Sequence, residues 1–124
     1  DLVNSMGQTV QAQYYPTGVT NAIAYVVLDP QAAYKVAVTN SGTTGTVTYV
    51  TRSVVGKNAV VAQGAGNTTS GDSGESVEAN TTASNAEFAV RIIDVVPETA
   101  INATAFREVI VKLNQPQFQV TTGL

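Results

Sequence analysis

The sequence predicts an all-β fold, an antiparallel β-sandwich or partly open β-barrel with long polar loops and little helix. Valine and threonine dominate, and the apolar residues recur with period two more often than with the 3.6-residue period of a helix. Clusters of Gly, Asn, Ser and Thr punctuate these runs, as turns require. At 124 residues the chain is long enough for one packed core. Residues 1–20, broken by Asn4, Gln8, Gln11, Gln13, Pro16 and Gly18, read as an N-terminal arm, and residues 21–124 as a single β domain.

Each strand follows from a short apolar or alternating run. TVQAQYY at 9–15 opens the series; AIAYVVL at 22–28 is the longest apolar stretch, and AAYKVAVT at 32–39 alternates cleanly. NSGTTG at 40–45 makes a hairpin connection into TVTYVTRSVV at 46–55, and Gly56-Lys57 breaks the chain before NAVVAQ at 58–63. The stretch 64–85, GAGNTTSGDSGESVEANTTASN, offers little to bury and reads as a polar loop. EFAVRIIDVV at 87–96, REVIVKLN at 107–114 and QFQVTT at 117–122 complete the set. PETAINATAFRE at 97–108 opens like a helix, but Thr99, Ile101 and Thr104 are β-branched and the apolar spacing is irregular, so it reads as a loop.

Composition excludes much chemistry. The chain has no histidine and no cysteine, which removes the usual general base, the thiolate nucleophile and the normal zinc ligands together. GDSG at 71–74 matches the surroundings of the nucleophilic serine in chymotrypsin-like proteases, yet Ser73 has no imidazole to take its proton. Turn formation accounts for the motif instead. Asp72, Glu75 and Glu78 suggest calcium, but their spacing fits no EF-hand loop, where ligands alternate before a bidentate glutamate. The carboxylates Glu87, Asp94, Glu98 and Glu108 are scattered at strand ends, and no tryptophan is available to stack a sugar. No enzyme activity and no cofactor are expected.

A net charge of −3 and a pI near 4.6 leave no basic stripe for phosphates, so nucleic acid is not an expected partner. The apolar run at 22–28 falls far short of the roughly 20 residues of a membrane-spanning helix, so no membrane partner is expected either. The chain opens at Asp1 with no visible signal peptide. Asn67, Asn80 and Asn102 each begin an Asn-x-Thr sequon, which chance explains in so Asn- and Thr-rich a chain.

Lys35, Arg52, Arg91 and Lys112 each stand alone in an apolar or threonine-rich strand. One cation per strand blocks edge-to-edge aggregation. Alternatively, the cations meet carboxylates of a neighbouring subunit. Tyr14, Tyr15 and Pro16 form a candidate partner contact, since adjacent strand residues face opposite sides and tyrosine is favoured at interfaces. Phe118, in QPQFQV, is a further candidate.

From Asp29, Pro30, Tyr34 and Val36 the sequence continues through VVGKNAVVAQGAG and GDSGES to RIIDVVPETAINATAFREVIVKLNQPQF. Over about residues 25–118 this order of elements resembles capsid-associated structural proteins of tailed bacteriophages, in particular small head decoration or cement-like virion proteins. It departs from them at Gln115-Pro116, where a charged or histidine-containing pair is usual, and in a longer loop after Pro97. The resemblance implies a non-enzymatic β-rich protein present in many copies, bound to the outer capsid surface. Its partners would be the major capsid protein and copies of itself, as trimers or dimers. An acidic chain suits the outside of a head better than the DNA-filled interior. The alternative from another class is a bacterial cell-surface adhesin or pilus-type β-sandwich that binds a host ligand through loops such as 64–86.

Overall fold

The computed structural model describes residues 2–3, 9–10, 14, 23–40 and 48–114. Its strands are β1 (Leu2–Val3), β2 (Thr9–Val10), β3 (Ala33–Thr39), β4 (Asn58–Ala59), β5 (Val61–Ala62), β6 (Ser76–Glu78), β7 (Val90–Val95), β8 (Ala100–Asn102), β9 (Ala105–Phe106) and β10 (Glu108–Leu113). Short 3₁₀ turns at Arg52–Val54, Ala79–Thr81 and Pro97–Thr99 are the helical elements among the described residues. The fold is all-β.

A six-stranded sheet in the order β4-β7-β10-β3-β6-β5 forms the body, and β1-β2 and β8-β9 are separate two-stranded pairs. Both edges of the large sheet, β4 and β5, come from one stretch of chain with only Val60 between them. The sheet therefore curls round on itself, with the Val60 carbonyl accepting from the Glu78 amide at 3.0 Å. Closure is partial rather than that of a closed barrel, because β4 pairs with β7, and β5 with β6, over two residues each. One neighbour pair, β3 and β6, runs parallel, against the expectation of a wholly antiparallel sheet.

Alternation builds the core. In β3, Val38 points inward while Ala33, Lys35 and Ala37 face out, and in β10 Val109 and Val111 are buried between less buried neighbours. β7 starts in the same way with Val90 and Ile92, then slips. Its register against β10 jumps between Ile110↔Asp94 and Val111↔Ile92, leaving Ile93 as the extra residue of a β-bulge. Ile93 and Asp94 consequently both face outward before Val95 returns to the core. Val50, Val54, Ala59, Val77 and Phe106 fill the remaining interior.

The structure corrects several element assignments. The 22–28 run is not among the described strands: Ala24 to Leu28 carries no strand assignment and is exposed throughout. β3, the strand that follows it in the chain, is already paired on both sides, by β10 and β6, so the run cannot form a hairpin ladder with its sequence neighbour. Of the 46–55 run, the described residues 48–55 form a bridge from Val50 to Phe106 and a 3₁₀ turn in place of a continuous strand. There the Val54 amide donates to the Thr51 carbonyl at 3.3 Å and the Val55 amide to the Arg52 carbonyl at 3.1 Å, local backbone bonds in place of a sheet ladder. The 64–85 loop contains β6, whose Val77 is wholly buried, and the 97–108 loop folds into the β8-β9 pair. Of the 9–15 run the described residues are Thr9 and Val10, which form β2, and Tyr14, which lies in a bend; 117–122 lies outside the described residues.

β6 is held to β3 by a buried hydroxyl pair, Thr39 Oγ1 to Ser76 Oγ at 3.0 Å. Ser76→Ala leaves the Thr39 hydroxyl buried without its partner and is expected to cost about 1–3 kcal/mol in urea unfolding. Adding Thr39→Val should recover most of that loss, because both polar groups are then gone.

Candidate interaction surface

The GDSG stretch is spent on a turn. Asn67 and Asp72 pair across a tight hairpin, Asn67 Oδ1 accepting from the amides of Thr69 at 2.9 Å and Ser70 at 3.3 Å. Gly71 takes φ of +77°, which favours glycine, and its amide closes on the Asn67 carbonyl at 2.8 Å. Ser73 Oγ accepts the Glu75 amide at 3.1 Å. At the neck of the loop two backbones cross: a Cβ on Gly74 would collide with the Ala65 carbonyl, and one on Gly64 with that of Gly74. Each residue of the motif thus has a local structural task. Asn102 does similar work, its Oδ1 taking the amides of Thr104 and Ala105, both at 2.9 Å.

Among the described residues no three Asp or Glu carboxylates gather as a metal set. Asp94 and Glu108, two of the scattered carboxylates, are engaged with cations instead. Arg52 Nη1 meets Asp94 Oδ1 at 3.2 Å and sits over the Phe106 ring at 5.4 Å. Lys35 Nζ lies 3.4 Å from Glu108 Oε2, an enclosed oxygen with no hydrogen-bond donor in geometry.

The other two strand cations are arranged differently. Arg91 and Lys112 stand directly opposite each other on β7 and β10. Like charges in that position repel. Arg91 Nε donates to Asn58 Oδ1 at 3.1 Å and Lys112 Nζ to Gln31 Oε1 at 3.1 Å, so both are held by neutral amide oxygens. Among the described residues neither forms a salt bridge. Together with Ile93 and Leu113 they line an open hollow of about 390 Å³, walled on one side by Pro30 and Gln31. The bulge puts Ile93 there, and Leu113 is the last residue of its strand.

Pro30 leads straight back into the exposed run. Tyr25 is 83% exposed and Val26 70%, with Val27 and Leu28 also more than half exposed. Contiguous apolar side chains in water mark an interaction surface, whereas single exposed ones do not. The turn at Asp29–Gln31 joins this apolar segment to the cationic hollow, with Asp29 Oδ1 accepting the Gln31 amide at 2.8 Å.

Of the partner-contact residues read from the sequence, Tyr14 is exposed. Tyr15, Pro16 and Phe118 lie outside the described residues. The sequence singled out Arg91 and Lys112 as isolated strand cations without showing that they face each other. It missed Tyr25 to Leu28, because a continuous apolar run reads as buried on both faces. Among the described residues no helix is long and apolar enough to cross a membrane. Comparison with protein-family models, with curated proteins and with solved structures gives no match.

Proposed function

We propose that this chain is a non-enzymatic structural protein of a virion, bound to the outer capsid surface, where it reinforces contacts between capsomers. The observation that carries this reading is the exposed apolar segment, Tyr25 to Leu28, continuous with the hollow of Arg91 and Lys112. A curled, valine-packed sheet with a protruding apolar strip is suited to being held against another surface. Burying a Val or Leu side chain contributes about 1.5–3 kcal/mol, so a few of these residues together are enough to drive a specific contact. The low charge content, 12% of residues, suits dense packing of many copies.

The test is binding to heads that lack this protein. Added chain should co-sediment with such shells up to a fixed number of copies per capsomer and raise the temperature at which they rupture. Binding to host cells with none to shells would favour the adhesin reading instead. The loop chemistry has its own check: Ser73→Ala and the unaltered chain should give equal, background rates with ester and peptide substrates, and activity lost on substitution would restore catalysis.

A further inference from the structure

We infer that the hollow of Arg91 and Lys112 receives the acidic 64–75 loop of a second copy of this chain, in a reciprocal two-fold contact. The inference rests on the reading of the chain as an assembly component and names the residues that join its copies. Charge complementarity carries it. The hollow presents two apposed cations, held among the described residues by the neutral amides of Asn58 and Gln31, beside exposed apolar Ile93 and Leu113. The loop presents Asp72 and Glu75, both exposed, whose carboxylates form no salt bridge among the described residues.

Topology places the two features at the same end of the sheet. Lys112 pairs with Ala33 at the start of β3 and with Arg91 near the start of β7. β6 runs parallel to β3, so the loop that precedes Ser76 projects toward the end where β3 begins. Donor and acceptor surfaces that share one end allow two copies, related by a two-fold axis, to exchange both contacts at once, as an isologous dimer does. The loop is stiffened for this by the Asn67–Asp72 pairing and the crossing of Gly64 and Gly74. A rigid donor loses little conformational freedom on docking. An incoming carboxylate also offsets the repulsion between Arg91 and Lys112.

Sedimentation equilibrium of the purified chain tests this directly. The unaltered protein should dimerise in a concentration-dependent way, less strongly as salt is raised. Arg91→Glu with Lys112→Glu should abolish the dimer, and so should Asp72→Lys with Glu75→Lys. An equimolar mixture of the two variants should dimerise again, because each hollow then faces a loop of opposite charge. Arg91 also bonds Asn58, so the milder pair Arg91→Gln and Lys112→Gln, with melting followed in parallel, guards against a folding defect; it should weaken dimerisation at least about tenfold. A wild-type chain that stays monomeric, or reversal variants that dimerise unchanged, would overturn the inference. Shell binding measured on the same preparations is a separate readout, so a monomer that still co-sediments refutes the dimer contact while leaving the capsid reading standing.

Discussion

Phe106→Ala is expected to destabilise the fold by about 3–5 kcal/mol, the cost of a cavity where a large aromatic side chain is removed from a packed interior. Among the described residues Phe106 is the one aromatic side chain that is fully buried in the core; around it stand mostly valines, which are short and β-branched. Such neighbours are stiff at χ1 and collapse poorly into a void. Phe106 also ties separate parts of the chain together. Its amide and carbonyl exchange hydrogen bonds with Val50 at 2.9 and 3.0 Å, and its ring lies beneath the Arg52 guanidinium. Removing the ring therefore loosens the 50–54 turn and the β8-β9 pair as well as the core. Domains of this size have total stabilities of about 5–15 kcal/mol, so the variant should show a large fall in urea midpoint, or fail to fold. Phe106→Leu, which keeps most of the volume, should lose much less.

The second large effect concerns function without stability. Val26→Ser with Leu28→Ser should sharply reduce binding to shells while leaving the melting temperature within a degree or two. Both side chains are exposed, so their replacement removes nothing from the core. Surface substitutions of that kind usually change stability by no more than about 0.5 kcal/mol. In a complex the same side chains would each contribute about 1.5–3 kcal/mol of burial, and losing both would weaken binding by roughly two orders of magnitude or more. A separation between melting and binding is the signature of a contact surface.

How much of this was legible in the sequence depends on whether local pattern or long-range pairing decides each element. β3, β7 and β10 were readable because period-two alternation is a property of the strand itself: Val38, Ile92 and Val111 fall on the buried face that their neighbours define. The all-β class followed from such strands. AIAYVVL at 22–28 misled because its composition suits a strand, while strand formation needs a partner, and its neighbour in the chain, β3, already has one on each side in β10 and β6. β6 was missed for the opposite reason. Ser76 and Glu78 look like loop residues, and only the Thr39–Ser76 hydroxyl pair and the burial of Val77 explain their place beside β3. The isolated cations were visible one by one. Their opposition across β7 and β10 is a matter of register, set in part by the bulge at Ile93, and no single strand carries that information.

A role as a scaffold for contact, with no reaction to catalyse, is tested most directly by co-sedimentation of the unaltered chain and the Val26→Ser, Leu28→Ser variant with heads that lack the protein. Saturable binding by the first and loss of binding by the second, at equal melting temperatures, is the predicted result. Equal binding by both, or no binding by either, would contradict it.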